Sequence, residues 1–397
     1  MRSLNWHSIA LCILISGLFL SFVLKTFFVQ TLLLWLLGGF AIYTGIRTRK
    51  FYFQWYSVFF LAMFLLRILA LWRQPELKFS NIEISLSFIL FPLIFSLVKV
   101  DEKMWAIIQK AVVIGFATFL CVILYNFIIH IYFENLVKEV FANAKGYYWM
   151  FLKSPFYNHP SFLSVILAPS IPMCFNLAAK AAKNWQQWLW LLFIPLLVFI
   201  VFVSGSRIGL FICGALIVLS CIYFFKKLNI ISKIALSLAF VAAIGVFRIS
   251  TINYTEDPIR KEMNAFVIEK IKERPLFGYG YGTQNVQLNN VENLSEFNNP
   301  AIYTMAHFHN TYLDDFFQFG FIGISLLVSL LLYLIYWFIK KHNIFLLSFL
   351  MIYIPFFYVE LPFNVMKGIM PMMLFLAVIM NIQRMQNTEK KKHNKDG

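Results

Sequence analysis

His307 and His309 stand one residue apart near the end of Ile249–Gln318, the longest stretch of the chain too polar for a bilayer, just before an apolar run resumes. An imidazole at such a junction can take a proton from a hydroxyl near neutral pH. The pair could also begin a zinc site, but no third and fourth ligand follow at a recognisable spacing, so no metal is expected. Arg207 lies in Val203-Ser-Gly-Ser-Arg-Ile-Gly209, where one apolar run ends and the next begins. The glycines beside it allow close backbone approach, which favours an anion site; the alternative is an arginine that only reaches to the interface. Arg260 falls inside the apolar arc of a predicted helix, where a guanidinium is costly to desolvate unless something anionic meets it. His159, in Asn158-His-Pro-Ser161, opens another apolar run and reads equally as a substrate contact or an interfacial residue. Asp314 and Asp315 are adjacent, so a helix points them about 100° apart, a poor geometry for an acid–base pair; one of them could instead orient a histidine. Arg67 sits within an apolar run and requires a partner there, and Arg248 lies at the edge of another.

The element that must carry Arg260 opens at Asp257-Pro258, an N-cap followed by proline at the first helical position. Ile259, Met263, Phe266, Val267 and Ile271 then recur at helical spacing, with Lys261, Glu262, Glu269, Lys272 and Glu273 on the opposite arc. Pro275-Leu-Phe-Gly-Tyr-Gly-Tyr-Gly282 ends the pattern. The spacing predicts an amphipathic helix lying along a membrane surface. Gly278, Gly280 and Gly282 neither follow a strand nor open a helix, so they predict a turn rather than a phosphate loop.

These residues are set in a chain of 397 residues that is 60% hydrophobic and only 13% charged, too little polar surface to cover a soluble domain. Apolar runs able to cross ~30 Å of hydrocarbon fall near 8–24, 26–46, 51–72, 83–98, 104–132, 160–179, 186–203, 208–225, 232–249, 316–339, 344–361 and 364–382. The formal charge of +16 is spread over short basic clusters between these runs, as at Arg47, Arg49 and Lys50 or Lys340 and Lys341. That distribution is a topology signal, and nucleic acid is not an expected partner. The positive-inside rule puts the basic connections and both termini in the cytoplasm, and loops 133–159 and 250–315 outside. The expected organisation is all-α and polytopic: about twelve transmembrane helices, nine within 1–249 and three within 316–382. They flank an outer loop, 250–315, holding the amphipathic helix and the active site, and a basic cytoplasmic tail follows at 383–397. All five cysteines lie in apolar runs and read as core residues.

Taken together the motifs carry a resemblance. Ser206-Arg-Ile-Gly209 at a span start, the Arg260 helix running into Arg274-Pro-Leu-Phe-Gly-Tyr-Gly280, and His309-Asn-Thr-Tyr-Leu313 entering a span before Gly320-Phe-Ile-Gly323 look like the O-antigen ligase and polymerase superfamily. The resemblance is strongest over roughly 158–325. It implies a GT-C-like membrane glycosyltransferase of the bacterial inner membrane with its active site on the periplasmic face. A ligase of this kind transfers a glycan from undecaprenyl diphosphate to the lipid A-core oligosaccharide, with inversion and with no metal or other cofactor. Donor, acceptor and membrane lipid are then the partners. The resemblance assigns catalysis to Arg207, Arg260 and His309. Beside them, and with the two arginines, His159, His307 and Asn310 are candidate substrate contacts, His307 without a family counterpart. Members often carry Glu where this chain has Gln318. The chemistry agrees: a diphosphate leaving group needs its charge stabilised, and without an Asp-x-Asp motif two arginines are the available means. The alternatives are a polymerase that extends the lipid-linked glycan and, from another class, a glycan-lipid transporter, which is expected to place charges along its spans.

Overall fold

Proline and asparagine mark where many of the helices begin. In the computed structural model, which describes residues 5–24, 27–72, 80–134, 159–224, 258–282 and 308–393, Asn5, Asn310 and Asn343 accept backbone N–H groups at helix starts, and Pro160 occupies a first turn. The helices are α1 (Trp6–Ser21), α2 (Phe27–Thr48), α3 (Tyr56–Trp72), α4 (Ser80–Ser85), α5 (Ser87–Leu97), α6 (Glu102–Glu134), α7 (Pro160–Leu167), α8 (Ser170–Ala179), α9 (Asn184–Leu191), α10 (Phe193–Val203), α11 (Arg207–Phe224), α12 (Pro258–Glu273), α13 (Thr311–Lys341), α14 (Ile344–Val359) and α15 (Met366–His393), with a 3₁₀ turn at Pro362–Asn364. The described residues contain no strand.

Among the described residues seven helical stretches are long and apolar enough to cross a membrane, some of them two helices end to end, and four shorter apolar helices accompany them. Eleven of the twelve expected runs (7 + 4) are therefore helical, and the run 232–249 lies outside the described residues. This is a multi-pass membrane protein. Two stretches, Pro160–Ala179 and Met366–Gln386, are each 94% buried, so their all-round apolar surfaces occupy the centre of the bundle. Asn381 fastens the second of them: its amide donates to the Phe95 and Val98 carbonyls and accepts from the Val100 N–H at 2.9 Å, tying α15 to the α5–α6 connection. The run expected at 344–361 ends as a helix at Val359, which leaves Glu360 just outside it.

α13 is broken at Gly320, whose backbone (φ 63°, ψ −154°) is not helical. The loop after α12 takes up the groups that the break releases. Tyr279 N–H donates to the Phe317 carbonyl at 2.9 Å, Gly280 N–H to the Gln318 carbonyl at 2.8 Å, and Phe321 N–H to the Pro275 carbonyl at 2.7 Å. Alternate loop residues stack on alternate helix residues, Tyr279 on Phe317 at 4.9 Å and Tyr281 on Phe319 at 6.0 Å between centroids. The expected turn is present, with positive φ at Gly278, Gly280 and Gly282. α12 follows the loop onto α13, and the buried Val267 and Ile271 of its apolar arc pack with Tyr279, Phe308 and Phe317.

A Cβ on Gly320 would lie 2.3 Å from the Leu276 carbonyl carbon, and one on Gly278 would lie 2.5 Å from Phe317 and Gln318 backbone atoms. Gly320→Ala and Gly278→Ala should each lower the thermal unfolding midpoint in detergent, at a cost of at least about 2 kcal/mol from left-handed backbone and clash combined. Gly214→Ala on α11, which meets open space, should leave the midpoint almost unchanged. A Gly320→Ala protein as stable as wild type would mean that the loop does not seat against the break.

Candidate active site

His309 precedes α13 with φ 47°, a left-handed conformation that residues other than glycine seldom adopt. The turn is held from both sides. Asn310 caps α13 by accepting the Leu313 N–H at 3.1 Å, and the Thr311 hydroxyl donates to the Glu360 carbonyl at 2.7 Å. That second bond sets the start of α13 against the end of α14. The His309 ring then lies beside the Glu360 side chain, Nδ1 to Oε2 3.5 Å, with the histidine side chain 32% exposed and the glutamate 7%. With Nδ1 turned to the carboxylate, Nε2 is the ring nitrogen left to act on another molecule. Burial works to raise the Glu360 carboxyl. The hydrogen bond from His309, the charges of His159 and His309 and the Ser161 hydroxyl outweigh it and hold the group below the usual glutamate range. Glu360 is therefore an anion at neutral pH.

His159 and Arg207 belong to the same end of the bundle. His159 is the N-cap residue of α7, its ring edge-on to Phe162 at 5.0 Å, and Phe162 in turn packs on Phe356 of α14. Arg207 is the exposed first residue of α11, whose start is capped by the Ser206 hydroxyl accepting the Gly209 N–H at 3.0 Å. Gly209 is required by packing: a Cβ there would meet the Ser164 hydroxyl at 2.2 Å, so only glycine lets α11 press against the second turn of α7. The start of α11, with Arg207, thus lies beside α7, the helix that His159 caps. A guanidinium at a helix N-terminus suits an anion. Arg260 is carried in the first turn of α12, and its side chain, like the whole of His307, lies outside the described residues. Asn310 holds a structural position through its cap.

Arg67 has the partner that its burial demands, and it is a site of its own. Only 2% exposed, its Nη2 lies 3.7 Å from Asp315 Oδ1. Its guanidinium carbon sits 4.7 Å from the Phe88 ring centroid, 5.4 Å from those of Tyr281 and Phe319, and 5.6 Å from that of Phe363. Next to it Asp314 Oδ2 accepts from Gln318 Nε2 at 2.7 Å and Asn364 Nδ2 at 2.8 Å, while Gln318 Oε1 accepts the Gly282 N–H at 3.0 Å. Both aspartates are thus engaged elsewhere, and the carboxylate that meets the histidines is Glu360. Sequence reasoning missed it because it ends an apolar run; its signal was that of any carboxylate at the edge of a span, a costly placement that usually has a function. Beyond the loop an apolar groove of about 390 Å³ is lined by Leu66, Leu69, Phe277, Tyr279, Phe319 and Arg274. The Arg274 guanidinium lies 4.8 Å from the Tyr279 ring centroid.

Residues 191–328 match the family model described as O-antigen ligase, so the resemblance read from the motifs holds over that stretch. No curated protein matches the chain.

Arg67→Met leaves Asp315 buried without its cation and should destabilise the protein by roughly 3–5 kcal/mol, read as a fall in unfolding midpoint in detergent. Arg67→Met combined with Asp315→Leu should recover most of that loss, since an apolar pair can replace a buried ionic one. A double variant no more stable than Arg67→Met alone would show that the two charges do not act as a pair.

Proposed function

We propose that the protein is a membrane glycosyltransferase that moves a glycan from undecaprenyl diphosphate to the lipid A-core oligosaccharide, at the periplasmic face of a bacterial inner membrane, with about twelve spans in a GT-C-like arrangement. The observation that carries this reading is the contact of His309 with the buried Glu360, at the bundle end that also presents Arg207, inside or beside the stretch that matches O-antigen ligases. Glu360 fixes the tautomer that leaves Nε2 of His309 as the base. The acceptor hydroxyl attacks the anomeric carbon from the side opposite the diphosphate, and its proton passes to Nε2. The bond from the anomeric carbon to the diphosphate oxygen breaks, and its electron pair leaves with that oxygen, giving inversion. Arg207 and Arg260 take up the negative charge that develops on the diphosphate, which guanidinium forks do without a metal. His159, His307 and Asn310 contribute to the substrate surface. The groove beside Phe277 and Phe319 takes the prenyl chain, with Arg274 near its phosphates.

The test is transfer by the purified protein from a lipid-linked glycan, with lipid A-core as acceptor. Glycan on the core identifies a ligase, and a lengthened lipid-linked glycan identifies a polymerase. His309→Gln should lose about 10²–10⁴-fold in rate, and Arg207→Ala should be inactive and poorly rescued by Lys. Glu360 stays ionised through the neutral range, since its carboxyl is held low. Glu360→Gln removes the carboxylate that holds Nδ1 of His309 and should lower the rate, by less than His309→Gln does. Either variant transferring as fast as wild type would remove the pair from the mechanism.

A further inference from the structure

At the opposite end of the bundle, α6, α8, α11, α15 and the α13–α14 turn surround a second cavity, of about 290 Å³. Its wall carries two cations, Lys180 and Lys341, against one carboxylate, Glu102. That carboxylate accepts the Gln386 amide at 2.9 Å, so it is already engaged. Trp105 lines the cavity, packs edge-on to Phe345 at 5.2 Å, and has a buried indole N–H without a hydrogen-bond partner among the described residues. A buried donor left unmatched among the described residues is available to an acceptor on a bound molecule. The α14 start opens onto the same space through Asn343, Ile344 and Phe345, adding the positive end of a 16-residue helix. Outside the cavity the flanking helices expose apolar residues: Ile222 on α11, Tyr336 and Ile339 on α13.

We propose that this cavity binds the anionic phosphate headgroup of a membrane phospholipid, with Lys180 and Lys341 holding its charge and the acyl chains lying along the exposed faces of α11 and α13. Basic pockets between spans recognise lipid phosphates in this way. A soluble phosphate would satisfy the lysines, but it would leave the apolar rim without a role. The inference does not depend on the reaction proposed at the His309 end.

Lipid retention by the full-length protein in mild detergent, followed by native mass spectrometry, tests it with phosphatidylglycerol, phosphatidylcholine and inorganic phosphate as separate probes. Wild type should keep phosphatidylglycerol in preference to phosphatidylcholine. Lys180→Gln with Lys341→Gln should weaken that binding roughly thirtyfold, while Lys50→Gln with Lys99→Gln, two lysines outside the cavity, should not. Trp105→Phe, which keeps the ring against Phe345, should weaken it by a smaller factor, about fivefold. Glu102→Gln guards against a misfolded lysine variant, because removing the cavity's one anion should tighten phosphatidylglycerol binding. Equal retention of the two lipids, unchanged binding by the lysine variant, Glu102→Gln binding no tighter than wild type, or protection by inorganic phosphate equal to that by phosphatidylglycerol would each overturn the proposal.

Discussion

A helix that breaks within an apolar bundle must find new partners for the backbone groups it releases, because hydrocarbon offers none. α13 breaks at Gly320, and the partners come from the loop that follows α12. The match is mutual. A side chain on Gly278 would meet the Phe317–Gln318 backbone and one on Gly320 the Leu276–Phe277 backbone, and the stacked pairs Tyr279–Phe317 and Tyr281–Phe319 fix the register along the contact. One consequence reaches the candidate site: α12, which bears Arg260, is placed against the same helix that His309 introduces, so the residues proposed as diphosphate clamp and base are carried by elements set in one packing event. Irregular backbone within an apolar bundle is tolerated only when protein covers it, and here the covering segment is continuous with the helix that bears Arg260.

Among the described residues two clusters of buried charge stand in different surroundings. Arg67 is ringed by four aromatic faces contributed by α5, the loop, α13 and the 3₁₀ turn, with Asp315 as its counter-charge. Ring quadrupoles and one carboxylate stabilise a guanidinium without water, and no path for a reacting group is needed. The second cluster, His159, His309 and Glu360, is different in kind: the carboxylate is buried, but the His309 side chain is a third exposed. An enclosed anion beside an accessible imidazole is the arrangement that a proton-transfer site requires. The two are connected through α13 and the segment after α14, since Asp314 binds Asn364 four residues beyond Glu360. Rigidity in the first cluster thus fixes the geometry of the second.

The helical class was legible from composition and run length, and so was α12, whose Pro258 start and apolar arc at Val267 and Ile271 follow from capping and period alone. The need of Arg67 for a partner could also be read, because a buried guanidinium is too costly alone; which partner could not, since Asp315 lies 248 positions away (315 − 67) in the sequence. Glu360 was hidden for a related reason. Pairing between His309 and Glu360 depends on how α13 and α14 meet, and hydropathy carries the run to 361, past the Val359 end of the helix that sets the glutamate at the α14 C-terminus. The three glycines of the loop announced a turn, but the surface it fits is a break in another helix, and nothing local to 278–282 encodes that.

Gln318 shows how the polar wiring restricts chemistry at this end of α13. Its amide does two things at once, donating to Asp314 Oδ2 and accepting from the Gly282 N–H. A glutamate, ionised, could only accept; it would keep the loop bond and bring a second carboxylate to within about 3 Å of Asp314, a distance at which two buried anions repel strongly. The glutamine therefore joins the loop to the aspartate and adds no charge. Where the superfamily resemblance offered a carboxylate, this chain has a connector, and Asp314 is saturated on one oxygen by two amides. In the proposed reaction, acid–base work at this face then falls to the pair that combines an anion with an exposed ring, His309 with Glu360.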